Sequence, residues 1–454
     1  MNGLYLKKCL AMKKVSFIVL SVWSFGGLVM SSNAFAALNL ELTQGVTNQL
    51  PIAIVPFESK EVFTSENDVS RVIESDLSHS GQFKALLAKT QRLPQPYTSE
   101  KVSVAYWRAH HVDDVVWGKI IALGQGQYRV QMSLVNVAQG RKQVLVQREF
   151  TVKYPQLRAL AHHLSDMVYE KLTGVKGVFS TRIAYVLVTR QNNHRVYSLQ
   201  VADMDGHNAK PLLTSTQPIM SPAWSHDGKR IAYVSFENIM PRIYIQTIAT
   251  GQRQCVSGYP GINGAPAWSP DDKTLALALS KNSATPKIYL MDLANKDLRQ
   301  LTFGFSIDTE PTWSKNGRFL LFTSDRGGGP QIYKMNLHNN RIQRVTFEGS
   351  YNASASFSPN GKMIVVLNRE QGMYNIAVQN LDDDVLFSIT HSGFDASPSF
   401  APNGQLVLFE SKPGEHSLLG MASIDGRISC RLPTPAGDVQ DPVWSPFFQV
   451  NYFI

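Results

Sequence analysis

A Pro-x-Trp-Ser motif returns at a nearly constant interval along the C-terminal two-thirds of the chain. The aromatic residue of the motif is Trp in four copies and Phe in two, at Trp224, Trp268, Trp313, Phe357, Phe400 and Trp444. Successive copies are 44, 45, 44, 43 and 44 residues apart. A repeat of about 40–45 residues is typical of the blades of a β-propeller. Six copies therefore predict a propeller of six blades.

Each repeat contains four short segments with strand-forming sequences. In blade order these are the Pro-x-Trp segment, an apolar run such as 275–279, an Ile-Tyr segment such as 287–291, and a polar outer segment such as 298–302. Asp-Gly or Asn-Gly after the first segment favours a tight hairpin turn. Four short antiparallel strands form one blade. We expect the recurring aromatic residues to pack between blades rather than stack on a ligand, because wedge-shaped blades need large side chains between them.

The two ends of the repeat region complement each other. Residues 181–214 resemble the second, third and fourth strands of a blade, and the last copy, at 442–446, contains only a first strand. The last strand is therefore predicted to complete the first blade. Closure of this kind ties the chain ends together and leaves no open sheet edge.

The N-terminus has the features of a secretory signal peptide. Four lysines precede an uncharged apolar run at 15–30, and the small-x-small sequence Ala34-Phe35-Ala36 follows. Cleavage after Ala36 would remove residues 1–36 and lower the formal net charge from +9 to +5. An uncleaved anchor is the alternative, although the run is short for a membrane span. We expect an exported, soluble, periplasmic protein. Its remaining cysteines, Cys255 and Cys430, are predicted to be free because they fall on outer strands of non-adjacent blades.

Residues 37–175 are predicted to form a small α/β domain, joined by a short link to a propeller at 181–448. Helices are expected at 67–80, at 99–110 and from Pro155 to Gly174, with strands at 49–57, 114–123, 127–137 and 142–152. A further strand would start the mature chain, with leucines alternating with polar residues: Ala37, Leu38, Asn39, Leu40, Glu41, Leu42 and Thr43. It is either an ordinary first strand or a detachable strand that adds to the sheet edge of a partner.

The sequence contains no recognisable set of catalytic residues. It has no G-x-S-x-G elbow, no P-loop and no H-E-x-x-H motif. The histidine pairs His110-His111 and His162-His163 are expected to be exposed or half-buried rather than to bind a metal, because adjacent residues on a helix point in different directions. No catalytic residue, cofactor, metal or nucleic-acid partner is predicted. Binding is the default function of such a propeller.

Several segments resemble the TolB family, the periplasmic propeller proteins of the Tol-Pal envelope system of Gram-negative bacteria. They are EKLTGVKG at 170–177, TRIAYV at 181–186, NGAPA at 263–267 and TEPTW at 309–313. The resemblance implies a non-enzymatic, monomeric adaptor. It would bind the peptidoglycan-associated lipoprotein Pal at one mouth of the propeller channel and the inner-membrane protein TolA through the N-terminal strand, residues 37–43. Pal would hold it at the outer membrane, where it would support membrane integrity and constriction at cell division.

The resemblance also implies a set of contact residues for Pal. By position in the repeats, these are Met220, Ser221, Asn263, Gly264, Ala265, Asp308, Thr309, Glu310, Asp395, Ser397 and Asp441. Two other functions stay open at this point, an exported propeller enzyme and a carbohydrate-binding propeller. Simultaneous mutation of Asp308 and Glu310 would distinguish the three functions. An enzyme would lose turnover, a carbohydrate-binding propeller would lose glycan binding, and an adaptor would lose protein binding.

Overall fold

The computed structural model of the chain describes residues 40–42, 49–87 and 102–448. The predicted signal peptide and residues 37–39 and 43 of the predicted N-terminal strand lie outside these ranges. None of the helices in the described ranges is long and apolar enough to cross a membrane.

The N-terminal part is a five-stranded sheet with helices against it. Its helices are α1 (Val69–His79), α2 (Val104–Ala109) and α3 (Leu157–Thr173), the last preceded by a 3-10 turn at Tyr154–Gln156. The first six strands of the chain are β1 (Leu40–Leu42), β2 (Leu50–Ile54), β3 (Phe83–Leu87), β4 (Asp114–Gly124), β5 (Gln127–Asn136) and β6 (Gln143–Lys153). The sheet has the order β3-β2-β4-β5-β6, and β2 is parallel to both of its neighbours.

Local sequence explains where the two longer helices begin and end. The Asp68 carboxylate accepts a hydrogen bond from Ser70 N at 3.0 Å and so caps the N-terminus of α1. The apolar face of α1, with Val72 and Leu77, is buried. Helix α3 ends at Gly174, which has φ of 73° and so provides the left-handed residue that commonly stops a helix. The chain thus forms both helices where the hydrophobic period predicts them.

The remaining strands form six four-stranded units arranged as a propeller. Blade 1 contains β7 (Arg182–Gln191), β8 (His194–Asp203) and β9 (Lys210–Ser215); blade 2 contains β10 (Ile219–Trp224), β11 (Arg230–Ser235), β12 (Arg242–Thr247) and β13 (Arg253–Ser257); blade 3 contains β14 (Asn263–Trp268), β15 (Thr274–Leu279), β16 (Lys287–Asp292) and β17 (Leu298–Gln300). Blade 4 contains β18 (Asp308–Trp313), β19 (Phe319–Ser324), β20 (Gln331–Asn336) and β21 (Ile342–Arg344); blade 5 contains β22 (Tyr351–Phe357), β23 (Met363–Glu370), β24 (Met373–Asn380) and β25 (Leu386–Ser388); blade 6 contains β26 (Asp395–Phe400), β27 (Leu406–Ser411), β28 (Leu418–Ser423) and β29 (Ile428–Leu432). The fold class is therefore the predicted one, an α/β N-terminal sheet followed by a six-bladed propeller.

The ring closes through the last strand, β30 (Asp438–Trp444). It pairs antiparallel with β7 and is the innermost strand of blade 1, in the order β30-β7-β8-β9. The prediction that the C-terminal strand completes the first blade is confirmed.

The repeated motif joins neighbouring blades by a hydrogen bond in blades 3 and 4. Trp268 Nε1 donates to the carbonyl of Ala223 at 3.0 Å, and Trp313 Nε1 donates to the carbonyl of Ala267 at 3.1 Å, in each case in the preceding blade. In the turn that follows, the Ser269 hydroxyl donates to Asp271 Oδ1 at 2.6 Å and accepts from a backbone N–H five residues on. The tryptophans pack between blades, as predicted, and the serine and aspartate shape the turn.

The N-terminal helices share one hydrophobic core with blades 6 and 1. This core includes Leu77 of α1, Leu164 of α3, Met421 of blade 6 and Tyr185 of blade 1. Asn403 Nδ2 of blade 6 also donates to the carbonyl of Lys176 at 3.1 Å. The boundary predicted at residues 175–181 between two separate domains stays a prediction. Cys255 on β13 and Cys430 on β29 are both free thiols, as predicted, and burial raises the pKa of Cys430 to about 12.

The structure differs from the sequence analysis at two places in the N-terminal part. Strand β3 was not predicted; its five residues show no alternation, and its parallel pairing with β2 depends on a tertiary contact. His162 was expected to be exposed or half-buried, but it is 2% exposed because α3 is covered by α1 on one side and by blade 1 on the other. Its neighbour His163 is half-buried, as predicted. The helix predicted at 99–110 is described only from residue 102, and there it covers Val104–Ala109.

Candidate binding sites on the propeller and the N-terminal strand

A ring of six left-handed residues lines the middle of the innermost strands. Each of these strands has a bulge, and the bulged residue has a φ between 46° and 53°: Ser221, Ala265, Glu310, Ser354, Ser397 and Asp441. A non-glycine residue with positive φ is uncommon, and bulges that recur in this way re-aim side chains. Proline follows five of the six residues, which explains the proline of the repeat, since a bulge is one of the few places where a sheet tolerates it.

Two carboxylates of this ring join neighbouring blades. The Glu310 carboxylate accepts from Ser354 N at 2.8 Å, from Ser354 Oγ at 2.9 Å and from Thr323 Oγ1 at 2.7 Å. The Asp441 carboxylate accepts from Ser221 N at 2.9 Å and from Ser397 Oγ at 3.2 Å. Four residues predicted to contact a partner (Ser221, Glu310, Ser397 and Asp441) are therefore also part of the hydrogen bonding between blades.

Three other predicted contact residues are buried at the start of innermost strands. Asn263, Asp308 and Asp395 are 1%, 0% and 2% exposed. Asn263 Oδ1 accepts from Tyr259 N at 3.1 Å, Asp308 Oδ1 accepts from Arg326 at 2.9 Å, and Asp395 Oδ1 accepts from the Ser392 hydroxyl. These side chains hold the loops between blades in place, and the structure does not bring them to the surface.

The remaining predicted residues lie on the innermost strands β10, β14 and β18. Met220 is 38% exposed, and Gly264, Ala265 and Thr309 are half-buried. The structure thus groups the exposed and half-buried members of the predicted set at one end of the ring, where the innermost strands begin.

The same end of the propeller carries exposed apolar side chains that the sequence analysis did not identify. Ten of the twelve exposed large hydrophobic residues in the described part of the propeller lie on the innermost strands, on the loops that enter them or on the hairpins beside them: Met220, Ile239, Met240, Ile262, Phe303, Phe305, Ile307, Phe347, Met373 and Phe394. We name this set the apolar crown. Phe305 is fully exposed and Ile239 is 85% exposed. Bulky apolar residues inside loops, such as the Phe-Gly-Phe of 303–305, were the signal that could have revealed it.

The N-terminal strand β1 lies against the outer edge of blade 6. It pairs antiparallel with β29, with Leu40 opposite Cys430 and Leu42 opposite Ile428. The propeller sheet of blade 6 thus has five strands, in the order β1-β29-β28-β27-β26. Residues 40–42 are the part of the predicted TolA-binding strand that the structure describes.

Side chains suited to a metal come together at a different place. Among the described residues, one group of this kind is found, formed by Asp76, His162 and Asp205. Asp205 lies in the turn between β8 and β9, at the end of blade 1 that faces away from the apolar crown.

The six-bladed propeller, with an α/β sheet joined to it and an N-terminal strand at the edge of blade 6, defines the class of propeller proteins that carry an additional α/β domain. Comparison with known proteins gives the family. The family model described as the TolB beta propeller domain matches residues 169–448, and that of the TolB amino-terminal domain matches residues 38–143. The chain belongs to the TolB family of Tol-Pal system proteins. It is a non-enzymatic, periplasmic member of that system, and its partners lie within the system.

Individual relatives agree with the family models. The chain is 49% identical over 421 residues to the Tol-Pal system protein TolB of Legionella pneumophila strain Philadelphia 1, which covers 92% of this chain and 97% of the relative. It is 42% identical over 431 residues to the TolB of Alcanivorax borkumensis, with 95% and 96% covered. The match to the TolB of Coxiella burnetii is 48% identical over 242 residues and spans about half of each chain. The crystal structure of TolB from Acinetobacter baumannii superposes with a TM-score of 0.81 at 38% identity and covers 90% of this chain and 100% of that one.

Proposed function

We propose that this protein connects Pal and TolA in the periplasm. Pal binds the mouth of the propeller that carries the apolar crown, and TolA binds the N-terminal strand, residues 37–43, once signal peptidase has cleaved after Ala36. The adaptor is a monomer held at the outer membrane by Pal, and it supports membrane integrity and constriction at division.

The apolar crown is the observation that supports the proposed Pal site. Monomeric soluble proteins rarely expose a large contiguous apolar surface, and aromatic residues and Met are enriched where proteins bind each other. Four phenylalanines belong to the crown, and each is more than 60% exposed. The crown surrounds the start of the innermost strands, where the half-buried predicted residues Gly264, Ala265 and Thr309 lie.

The buried members of the predicted set fit a supporting role. Asn263, Asp308 and Asp395 fix the loops that carry crown residues; for example, Asp308 directly follows Ile307 and lies three residues after Phe305. A rigid platform lowers the entropy lost on binding, because its loops are already ordered. These residues therefore support Pal binding by positioning the crown rather than by contact.

The TolA site is supported by the way β1 is held. Within the described residues β1 pairs through one neighbour, β29, at the edge of the blade 6 sheet, and a strand at a sheet edge can leave it and add to the sheet of a partner. The same backbone groups that pair with β29 would pair with TolA.

Calorimetric titration of the purified mature protein with Pal tests the crown. Phe305→Ala and Phe303→Ala should each weaken Pal binding by about thirtyfold, near 2 kcal/mol, which is typical of an interface anchor. The matched control is Phe387→Ala, which removes an exposed phenylalanine on β25, at the outer edge of blade 5. If both crown variants bind Pal with the affinity of the wild type, the Pal site lies elsewhere. If instead the wild type binds a glycan and the same variants do not, the protein is a carbohydrate-binding propeller.

A further inference from the structure

A cavity of about 430 Å³ lies between blades 4 and 5, at the end of the propeller opposite the apolar crown, where the innermost strands finish. It is lined by the turn after β18, by the corresponding turn of blade 5 and by Lys334 of β20. Phe319, Phe357 and Leu381 form its apolar wall. The cavity thus combines polar turns, a cation and an apolar wall, as sites for small ligands do.

The blade 4 turn at this cavity has two backbone N–H groups without an acceptor. The turn, residues 314–317, has the same internal hydrogen bonds as its counterpart in blade 2, residues 225–228. In both turns the serine hydroxyl donates to the side chain two residues on, and the glycine N–H donates to the serine carbonyl at 2.9 Å. In blade 4, however, Lys315 N and Asn316 N donate to no residue within the described ranges.

In blade 2 the equivalent N–H groups hold a carboxylate from the next blade. His226 N and Asp227 N donate to the two oxygens of Asp272, at 2.7 and 2.8 Å. Asp272 is the fourth residue of the blade 3 turn and has φ of 57°. The fourth residue of the blade 5 turn is Gly361, which has φ of 73° and no side chain. Blade 2 therefore shows which group the free N–H groups of blade 4 are arranged to bind, namely a carboxylate.

The other four blades do not offer this pair of donors. Proline, which has no N–H, is the second residue of their turns, at Pro270, Pro359, Pro402 and Pro446. The place of the missing carboxylate is open, because a Cβ atom at Gly361 would meet no atom within 4 Å.

Two lysines give the cavity a positive charge. Lys315 and Lys334 both line it, and neither forms an ion pair with an acidic side chain in the part of the chain that the structure describes. The aspartates at 382–384 lie nearby in an exposed hairpin and pair with neither lysine. Lys334 Nζ lies 5.5 Å from the centre of the Phe319 ring, so the ammonium group is held beside the apolar wall. A cation next to backbone donors favours an anionic ligand.

We propose that the cavity between blades 4 and 5 binds a carboxylate that is attached to a small apolar group. The carboxylate accepts from Lys315 N and Asn316 N, as Asp272 accepts from their counterparts in blade 2. The Lys334 ammonium balances its charge, and the apolar group packs against Phe357. The C-terminus of a peptide and a small carboxylic acid both have this chemistry.

Calorimetric titration of the mature protein tests the site with three probes, which are N-acetyl-leucine, isocaproate and the uncharged N-acetyl-leucinamide. Each acid should bind with a Kd of about 1 mM, and the amide should bind about tenfold more weakly or not at all. The acid that binds more tightly identifies the source of the carboxylate, a peptide C-terminus for N-acetyl-leucine or a small acid for isocaproate. If neither acid binds more tightly than the amide, the proposal is wrong.

A variant that fills the site from within gives the sharper test. Gly361→Asp places a carboxylate where Asp272 stands in blade 3, so it should lower the affinity for N-acetyl-leucine about tenfold or more. Gly361→Ala is the matched control, because it has the same positive φ without the carboxylate. It should bind the probe like the wild type and should have a lower Tm than Gly361→Asp. Wild-type affinity in Gly361→Asp would overturn the proposal.

A second pair of variants tests the charge of the cavity. Lys334→Ala should lower the affinity for N-acetyl-leucine about tenfold. Lys273→Ala removes an exposed lysine from the blade 3 turn and should leave the affinity unchanged. Circular dichroism shows whether each variant is folded, and this pair decides the test if Gly361→Asp does not fold. Equal affinities in Lys334→Ala and Lys273→Ala would contradict the site.

Discussion

Trp444 Nε1 donates a hydrogen bond to Thr181 Oγ1 at 2.8 Å, although the two residues are 263 positions apart in the chain. Both side chains are buried, with Trp444 6% and Thr181 4% exposed. Directly beside them, Arg182 N donates to the Ser445 hydroxyl at 3.0 Å. The first and last residues of the propeller are thus fixed to each other at one point, which closes the ring.

Replacement of Trp444 should destabilise the whole ring. We expect Trp444→Ala to lower the free energy of unfolding by about 3–5 kcal/mol, because it removes a large buried side chain and leaves a cavity. Trp444→Phe keeps most of the packing and should cost about 1 kcal/mol, the value of one hydrogen bond. Truncation before Asp438 removes the entire strand and should cost more than either substitution. Urea unfolding measures all three, and an unchanged midpoint for the truncated protein would mean that the closing strand does not contribute.

Glu310 should affect stability as well as Pal binding. Its carboxylate accepts two hydrogen bonds from Ser354 of blade 5 and one from Thr323 of its own blade 4, so Glu310→Lys should lower the free energy of unfolding by about 3 kcal/mol. Glu310→Gln keeps an acceptor at the same place and should cost about 1 kcal/mol. Thermal melts compare the two variants, and equal melting temperatures for Glu310→Lys and the wild type would contradict the role of Glu310 between blades. Because Glu310→Lys also destabilises the protein, loss of Pal binding in this variant would not by itself show that Glu310 contacts Pal.

Ala265 is a cleaner probe of the channel mouth. It occupies the same ring position as Glu310, one blade earlier, with φ of 46° and a half-buried methyl group. Ala265→Trp fills the mouth and should weaken Pal binding by about thirtyfold, or about 2 kcal/mol, with an unchanged melting temperature. Ala265→Ser is the matched control, since it changes the side chain by one hydroxyl. Wild-type affinity in Ala265→Trp would move the Pal site away from this part of the ring.

Asp166 on α3 should make stability depend on pH. Burial raises its pKa to about 6, although Phe179 N and Ser180 N donate to the carboxylate at 2.7 and 3.1 Å. The unfolded chain has the ordinary value of about 3.9. Between these two values the folded state holds a proton that the unfolded state has lost, so stability falls as the pH rises from 4 to 6 and stays lower above it.

The difference in pKa corresponds to about 3 kcal/mol. Subtracting the unfolding free energy of Asp166→Asn from that of the wild type at each pH isolates this contribution, which should decrease from pH 4 to pH 6. Asp383→Asn, in an exposed turn, serves as the control for the substitution itself. If the difference in unfolding free energy between the wild type and Asp166→Asn does not change with pH, burial does not disfavour the charged form of Asp166.

The repeat architecture could be predicted from the sequence because every blade contains the same local pattern of strands and turns. The interval of the Trp motif, the Asn-Gly turns and the incomplete repeats at both ends were sufficient for six blades and for ring closure. Strand β3 escaped prediction because a parallel edge strand of five residues is defined by its neighbour rather than by its own pattern. His162 was misjudged because its burial depends on blade 1, which lies far along the chain.

The sequence located the innermost strands but not the surface chemistry at their start. The start of each innermost strand was located correctly by the repeats, yet the polar residues there, such as Asp308, are buried loop anchors. Because these residues are polar, we expected their side chains to be exposed. They are buried instead, because the backbone and side chains of a loop between blades need hydrogen-bond partners inside the protein. The exposed residues at that mouth are instead apolar, and Phe305 is the clearest case. Only the three-dimensional arrangement gathers these loop residues into the apolar crown.

The last prediction concerns exchange of the N-terminal strand between its own propeller and TolA. In the structure β1 covers the outer edge of β29, and the two uses of its backbone groups exclude each other. Deletion of residues 37–43 should abolish TolA binding and leave Pal binding within about tenfold, or 1.4 kcal/mol. In the intact protein, saturating TolA should increase hydrogen exchange at backbone amides of Ile428–Leu432 to the level seen in the deletion, because the edge loses its partner. Exchange at β17, an outer strand of blade 3 that β1 does not touch, serves as the internal control. If TolA binds the full-length protein while exchange in β29 stays unchanged, β1 does not leave the propeller, and the detachable-strand hypothesis is wrong.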